Sequence, residues 1–200
     1  MLRVSGLLLL AILAFGLLFS LLPARSHAGA SGVTLSSARL SLYPEQDPGA
    51  VWRFQAREVR VNPLLSENTL DGLGRGERWV RGQDGKSRLD LTLNAPSLTI
   101  DGDDNLRASE ARLYIVQDCS TLTLRGSGEA GVLINQRGGF SAPYLRVASP
   151  DLNAEYDNVT ASFDFSQFSG SQRPGATLDA SAPTRCVNGK VVARPNPGKS

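Results

Sequence analysis

The chain has 200 residues and a formal net charge of +2, from 21 Lys and Arg against 19 Asp and Glu. This length suffices for one domain with a sizeable core, but not for two. Removing the first 28 residues takes away Arg3 and Arg25 and no acid, which leaves 19 basic against 19 acidic residues. A neutral chain lacks the surplus of Lys and Arg that phosphate backbones require, so we expect no nucleic-acid partner.

The N-terminal 28 residues predict export. Arg3 supplies a short positive region, and the apolar run 4–22 that follows has 19 residues and no charge. Signal peptides carry roughly 7–15 apolar residues and bilayer spans roughly 20, so the length leaves both open. Ser26 and Ala28 are small residues at the positions that cleavage before Gly29 requires. Residues 1–28 are therefore predicted to be a signal peptide or a single inner-membrane anchor, and the rest to lie in the periplasm or cell envelope.

Beyond residue 29 the apolar residues recur with a period close to two, which predicts half-buried strands. One pattern occurs three times: Phe54-x-Ala56-x-x-Val59-x-Val61, Leu93-x-Ala95-x-x-Leu98-x-Ile100 and Phe140-x-Ala142-x-x-Leu145-x-Val147. In the first copy the alternation shifts phase after Ala56, which predicts a bulge or bend. Repeats of this kind predict a stack of similar strands that bury their apolar faces against their neighbours.

Two stretches depart from this rhythm. The polar, glycine-rich segment 63–88 predicts a long loop with a short pairing around Trp79 and Val80. The segment 169–200, rich in Pro, Gly, Ser and Ala, predicts a mostly flexible tail that follows a β domain over residues 29–168. Within the tail, Asn188-Gly189 is a hairpin signal.

Cys119 and Cys186 are the only cysteines, and in an exported chain an even pair predicts a disulfide. The bond would tether the tail to the strand region. Constraining the 67-residue loop would stabilise the fold by roughly 4 kcal/mol in the loop-entropy model. A zinc site is a poor rival, because the only histidine, His27, lies in the export segment.

No enzymatic constellation is visible. Without a histidine after residue 28, Ser-His and Cys-His nucleophile pairs are excluded, and no carboxylate spacing assigns acid and base roles. Asp101-Gly102-Asp103-Asp104-Asn105 begins like a calcium loop, but Leu106 replaces the turn glycine and Arg112 the bidentate Glu. We expect a strand-connecting turn there, no catalytic residue, no metal and no cofactor.

The most informative constellation is apolar. Its members recur at inward positions of the predicted strands: Trp52, Phe54, Leu91, Leu93, Leu98, Ile100, Leu113, Ile115, Leu122, Leu124, Ile134, Leu145, Val147, Phe163 and Phe165. These residues either fill a closed β-sandwich or line a groove between two curved sheets that is wide enough for acyl chains. Small residues beside them, Ala56, Ala95, Ala142 and Ala154, are compatible with both arrangements.

Several segments resemble the LptC and OstA-like family of periplasmic proteins, which move lipopolysaccharide or a related lipid between membranes. Gly49–Ala56 is similar to the family's opening aromatic strand, and Leu122-Thr123-Leu124-Arg125-Gly126 to its Leu-x-Leu-x-Gly strand end. Ala142-x-x-Leu145-x-Val147 and Leu152-x-Ala154-x-Tyr156 are similar to its alanine-rich strand units. The likeness covers residues 35–168.

The resemblance implies an all-β, twisted β-jellyroll of short antiparallel strands behind the N-terminal hydrophobic segment. The expected function is to shield the acyl chains of a lipopolysaccharide-like amphiphile and pass it to a partner. The expected partners are similar jellyroll proteins, paired through edge strands, and an inner-membrane transporter. The alternative is an exported structural or adhesion module of the cell envelope with a filled core.

Overall fold

The computed structural model describes residues 32–128, 130–136, 139–179 and 182–194. The N-terminal segment, with its predicted cleavage site or anchor, lies outside these residues. Within them no helix has the length and hydrophobicity that crossing a bilayer requires. The described chain is all-β, which confirms the predicted fold class.

The described strands number fifteen, and most are short. In chain order they are β1 (Val33–Leu42), β2 (Ala50–Asn62), β3 (Glu67–Arg81), β4 (Ser87–Asn94), β5 (Ser97–Ile100), β6 (Leu106–Ala108), β7 (Glu110–Ile115), β8 (Ser120–Arg125), β9 (Val132–Asn135), β10 (Gly139–Ala148), β11 (Leu152–Ala161), β12 (Phe168–Gln172), β13 (Thr177–Leu178), β14 (Thr184–Val187) and β15 (Lys190–Ala193).

Strands β1 to β13 form one antiparallel sheet, and β14 and β15 form a separate hairpin. The sheet is a meander of long, interrupted strands. β4 and β5 lie end to end, and both pair with β3. β7 and β6 lie end to end on the other side of β4 and β5. β8 and β9 lie end to end between this pair and β10. β12 and β13 share the outer edge of β11. Counting each such pair as one strand, the thirteen strands become nine, each paired with its neighbours in sequence.

The interruptions fall at one level and form a line across the sheet, which we call the bend. β4 and β5 are separated by Ala95 and Pro96, and Pro96 has no N–H to continue the ladder. Gly72, with φ +62°, lies at the same level of β3 and its N–H donates to Pro96 O at 3.0 Å. Ser109 accepts a bond of 2.8 Å from the Gly126 N–H, so the gap between β6 and β7 aligns with that between β8 and β9.

The repeated sequence pattern marks this bend. Its three-residue step falls between Ala56 and Val59, between Ala95 and Leu98, and between Ala142 and Leu145, and all six residues are buried. The pairing of β2 with β3 shifts register after Gln55, where β3 has one extra residue. A bulge re-aims the following side chains, so residues on both sides of the step face inward. The bend predicted for the first copy is confirmed, and the other two copies share it.

The bend divides the sheet into two layers. Layer 1 contains Ala50–Gln55 of β2, Arg75–Arg81 of β3, β4, β7, β8 and Tyr144–Ala148 of β10. Layer 2 contains Val59–Asn62 of β2, Glu67–Asp71 of β3, β5, β6, β9 and Gly139–Ser141 of β10. Buried apolar residues of both layers belong to one core cluster. Because no helix covers the sheet within the described residues, the layers bury each other, giving a jellyroll-type structure.

The prediction of a long loop over 63–88 is wrong, because residues 67–81 form the fifteen-residue strand β3. Gly72, Gly74 and Gly76 lie at the bend or where strands pack closely, and Gly82 and Gly85 lie in the turn between β3 and β4. A Cβ on Gly76 would lie 3.2 Å from Leu93 Cβ and 3.2 Å from Phe54 Cδ1, so glycine fits where three strands approach closely. The pairing expected around Trp79 and Val80 is present, within β3.

The segment predicted to be a flexible tail instead carries strands. β12 and β13 extend the main sheet along β11, although their composition is poor in apolar residues. The hairpin signal at Asn188-Gly189 is confirmed: both residues have positive φ, 50° and 73°, as a type I′ turn between β14 and β15 requires. The predicted disulfide is also confirmed, with 5.6 Å between the Cα atoms of Cys119 and Cys186.

Candidate functional site

The predicted acyl groove lies inside the fold. Of its fifteen residues, thirteen are at most 7% exposed. They are Trp52, Phe54, Leu91, Leu93, Leu98, Ile100, Leu113, Ile115, Leu122, Leu124, Ile134, Leu145 and Val147. The other two, Phe163 and Phe165, are partly buried and pack against this cluster. The structure therefore brings all fifteen residues together in or beside one core.

Three of the four small residues beside them lie at the bend. Ala56 on β2 and Ala95 between β4 and β5 are each 2% exposed, and Ala142 on β10 is 5% exposed; all three lie at the bend. Ala154 is also buried, opposite Val147 in the pairing of β11 with β10. A methyl side chain allows the two layers to approach at the bend without a clash.

On the side of the fold opposite the bend, the ends of the two layers approach each other along a line that we call the mouth. Trp52 Nε1 in layer 1 donates a 2.8 Å hydrogen bond to Oε1 of Gln136, which follows β9 in layer 2. The guanidinium of Arg78 lies 4.5 Å from the ring centre of Phe163, in the turn after β11. No strand pairing crosses the mouth within the described residues. The mouth is thus closed by side chains and turns.

Arg78 is a buried cation at the mouth, with 8% exposure. Its Nη2 donates to Asp47 Oδ2 at 2.5 Å, and its Nη1 donates to Asp90. Asp90 is the extra residue of a bulge, because Arg78 pairs with Leu91 and the next residue pairs with Leu89. Removing Arg78 or its aspartate partners alone would leave an uncompensated buried charge, so the three side chains stabilise the fold only together.

Two buried donors at the mouth have no acceptor among the described residues. They are Nε of Arg78 and Nε2 of Gln136, whose residue is 2% exposed. Both residues line a cavity of about 580 Å³, which we call the polar cavity. Its walls also include Asp47, Arg88, Asp90, Ile115, Gln117, Asp118, Ser162, Phe163 and Asp164. Most buried donors in proteins have a partner, so a pair left without one is an informative departure.

The turn 162–167, which follows β11, forms one wall of the mouth. Hydrogen bonds from Ser162 Oγ at 2.7 Å and Ser166 Oγ at 2.8 Å lower the pKa of the Asp164 carboxyl to about 2. Phe165 has a positive φ of 56° and its ring packs edge-on to Phe140, with 5.9 Å between the centres. The turn therefore carries a carboxylate that is ionised at neutral pH. The residues on either side of it in sequence, Phe163 and Phe165, pack against the core.

A second cavity, of about 560 Å³, opens beside Val147 and Phe165 of the predicted groove, and we call it the apolar cavity. Its other apolar walls are Pro150, Leu152, Tyr156, Phe168 and Leu178. Leu178 is 75% exposed at the rim. Arg185 and Cys186, from the disulfide-tethered hairpin, form the opposite side. This volume lies within the range of cavities that hold small molecules.

In the acidic turn at Asp101, the carboxylate oxygens of Asp101 accept hydrogen bonds from neighbouring residues of the turn and of β6. Burial raises the pKa of Asp101, but bonds from the Asn105 N–H, at 2.9 Å, and from Arg107 Nε, at 3.0 Å, outweigh it and leave the pKa lowered. The residues therefore form the predicted strand-connecting turn between β5 and β6. Across the described ranges, no group of three His, Cys, Asp or Glu is arranged to hold a metal ion.

Sequence reasoning missed Arg78, Gln136 and the polar cavity. Once β3 is recognised as a strand, its alternation indicates that Arg78 faces inward. Arg78 lies opposite Trp52, which faces the core. A charged residue at an inward position is rarely tolerated without partners. Gln136 carries no such signal, because it follows the end of β9.

A scan against protein-family models finds no match for this chain, and a search of curated proteins finds no significant relative. The resemblance to the LptC and OstA-like family therefore stays a prediction. Function is inferred from the fold and the geometry at the mouth.

Proposed function

We propose that this chain is an exported lipid-binding β-jellyroll of the cell envelope, which shields acyl chains between its layers and passes lipopolysaccharide or a related lipid to a partner. The observation that carries the proposal is the mouth. Two apolar layers meet there through side chains such as Trp52 and Gln136, and no strand pairing joins them in the described chain. The layers can separate at this line while the hydrogen bonds within the sheet stay intact.

Lipid entry is energetically reasonable for such an interior. An acyl chain gains about 0.8 kcal/mol for each buried CH₂, so ten buried methylenes give about 8 kcal/mol. Opening the mouth breaks a few side-chain contacts, each of which contributes about 0.5–3 kcal/mol. When an acyl chain enters, the core side chains lose contacts with the opposite layer and gain contacts with the acyl chain. They therefore remain in an apolar environment.

The apolar cavity offers an entrance. It joins Val147 and Phe165 of the predicted groove to the surface at Leu178. A lipid tail can contact this apolar wall before the layers separate, and the polar groups at the rim, including Asp151 and Arg185, would meet the hydrated part of the molecule.

A partner could pair with the free edge of β1. Among the described strands β1 pairs with β2 alone, and Val33 and Leu35 on it are 57% and 47% exposed. An unpaired edge with exposed apolar residues favours the addition of a strand from another chain. This edge is our proposed contact for a similar jellyroll protein.

The test is native mass spectrometry of the chain after export to a bacterial periplasm and gentle release from membranes. We expect a retained amphiphile mass in the wild-type protein. Leu178→Arg places a charge at the rim of the apolar cavity and should remove that mass, with an unchanged β-sheet circular dichroism spectrum. Leu64→Arg is the matched control, because Leu64 is 77% exposed in the turn after β2, away from the cavity, and should retain the lipid.

A second candidate is favoured by the packing itself. Thirteen of the fifteen predicted groove residues are at most 7% exposed, which also suits a structural or adhesion module with a filled core. For that function the protein should carry no amphiphile mass in any preparation. Its thermal unfolding should also be insensitive to added phospholipid or lipopolysaccharide. That result would replace the lipid proposal.

A further inference from the structure

We infer that the turn between β2 and β3, residues 62–66, inserts its tip into the bilayer that holds the predicted anchor at residues 4–22. We call it the leucine turn. Leu64 and Leu65 are adjacent at its tip and are 77% and 62% exposed, and Leu64 is the most exposed large apolar residue of the described chain. The inference does not rest on lipid binding between the layers, because the leucine turn lies outside the core.

The backbone of the leucine turn suits an apolar environment. The N–H groups of Leu64 and Leu65 both donate to Asn62 Oδ1, at 3.2 and 3.4 Å, and Pro63 has no N–H. A backbone donor that enters hydrocarbon without an acceptor is costly, so a tip that inserts must satisfy its donors internally. Asn62 does this for the leucine turn, and the two leucine side chains remain as the groups that face outward.

The chain enters the fold beside this turn. Val33, at the start of β1, pairs with Val61, and a Cβ on Gly32 would lie 2.7 Å from Val61 O. The apolar run 4–22 ends ten positions before Gly32. Ten residues span at most roughly 35 Å when fully extended. Because the run has the length of a bilayer span, as an anchor it keeps the leucine turn close to the surface of the same membrane.

An exposed tyrosine lies in a neighbouring turn. Tyr43, between β1 and β2, is 70% exposed. Its turn reaches the turn 101–105, because the Glu45 N–H donates to Asp104 Oδ2 at 3.4 Å. The turn 101–105 lies against the leucine turn, since a Cβ on Gly102 would be 3.4 Å from Ser66 Cβ. Tyrosine is enriched where a membrane meets water, so Tyr43 suits the rim of a contact whose centre is the leucine pair.

The charge of these three turns decides which bilayer they fit. The turns 43–49, 62–66 and 101–105 contain five carboxylates, on Glu45, Asp47, Asp101, Asp103 and Asp104, and no Lys or Arg. Attraction to anionic lipid requires basic residues near the surface, so it does not hold this part of the fold on a membrane. The contact is therefore apolar, and its occupant is a bilayer whose headgroups are zwitterionic.

The test uses brominated lipid, which quenches the fluorescence of a tryptophan that touches the acyl chains. Cell-free synthesis of the full chain, under oxidising conditions and with vesicles of phosphatidylcholine and phosphatidylethanolamine, retains residues 1–28 because no signal peptidase is present. Trp79→Phe is the parent, since it leaves Trp52, which has no exposed surface, as the only tryptophan. Subtracting the parent removes any quenching of Trp52 by lipid between the layers, so the result is separate from that of the lipid proposal.

Leu64→Trp in this parent places a tryptophan at the tip of the leucine turn. We expect brominated acyl chains to quench most of the emission that it adds, and Leu65→Trp provides a second position should one variant fold poorly by circular dichroism. Val191→Trp is the matched control. Val191 is also apolar and 54% exposed, but its hairpin lies beside β12 and β13, at the sheet edge opposite β1. The emission added by Val191→Trp should not change with bromination.

Three results would overturn the inference. The first is equal quenching of Leu64→Trp and Val191→Trp, which would mean that no part of the surface is preferred. The second is a blue-shifted but unquenched emission from Leu64→Trp, which would show that protein covers the turn, either a second copy or another segment of this chain. The third is quenching that appears only when phosphatidylglycerol replaces part of the zwitterionic lipid, because the contact would then depend on charge.

Discussion

Trp52 and Gln136 lie 84 residues apart in the chain, yet a 2.8 Å hydrogen bond joins them across the mouth. Trp52 belongs to layer 1 and has no exposed surface, and Gln136 follows the last strand of layer 2 before β10. The bond satisfies the indole N–H in a place where water does not reach it. It also sets the distance between the two layers at the edge where no strands pair in the described chain.

Trp52→Phe tests this link. The change removes the donor to Gln136, leaves its amide without a bond and opens a small void, so we expect a loss of about 2–4 kcal/mol in the free energy of unfolding. Urea denaturation followed by circular dichroism measures it. Trp79→Phe is the matched control, because Trp79 Nε1 donates to Glu77 on its own strand, at 2.9 Å, and not across the mouth. Equal losses in the two variants would show that the bond across the mouth has no special role.

Gly139→Ala tests the packing of β10 against β11. A Cβ at this position would lie 1.9 Å from Ala161 O, and the residue has φ +136°, so we expect a loss of at least about 3 kcal/mol in unfolding free energy. Gly128→Ala is the comparison. Gly128 also has a positive φ, +58°, but nothing lies within 4 Å of its Cβ position, so the loss should be about 1 kcal/mol. Similar losses would indicate that backbone conformation, and not the close approach, requires Gly139.

The disulfide joins the hairpin β14–β15 to the turn between β7 and β8. Cys186→Ser should lower the free energy of unfolding by about 4 kcal/mol, because the bond closes a loop of 67 residues in the unfolded chain. The circular dichroism of the sheet should persist, since among the described strands the hairpin pairs with none of the main sheet. We expect trypsin to cleave first at Arg185 or Lys190 in the variant, as the hairpin is then released. Protection equal to that of the wild type would show that noncovalent contacts suffice to hold it.

Asp164 predicts an acid dependence of stability. Bonds from Ser162 and Ser166 lower its pKa from 3.8 to about 2, so the folded state favours the ionised form. Its contribution is present above about pH 4 and is lost as the pH falls through about 2, because the unfolded chain takes up the proton first. The unfolding free energy should therefore fall between pH 4 and pH 2, and Asp164→Asn should reduce this slope.

The serine donors provide an independent check on Asp164. In the double variant Ser162→Ala with Ser166→Ala, the carboxyl pKa should rise toward its ordinary value, as followed by NMR titration. An unchanged pKa would mean that the hydroxyl bonds are not its cause.

Much of the fold could be predicted from the sequence, because local alternation determines which residues face inward. The three-residue step in the repeat even indicated the bend at Ala56. β3 was missed because close packing requires Gly76 where an apolar residue would have signalled a strand. The polar cavity could not be predicted, since it depends on Arg78 and Phe163, 85 positions apart, meeting only after the sheet has folded over.

The nearest-neighbour order of the sheet has a consequence for how the protein is made. Each long strand pairs with the one before it, so in a chain that emerges in the N-to-C direction during synthesis each new strand finds its partner already present. The contacts at the mouth, such as Trp52 with Gln136, join distant parts of the chain and form after the strands between them. The disulfide from Cys119 to Cys186 forms later still, since Cys186 follows every strand of the main sheet. Assembly therefore proceeds from one edge of the sheet to the other, and oxidation of the cysteines reports its completion.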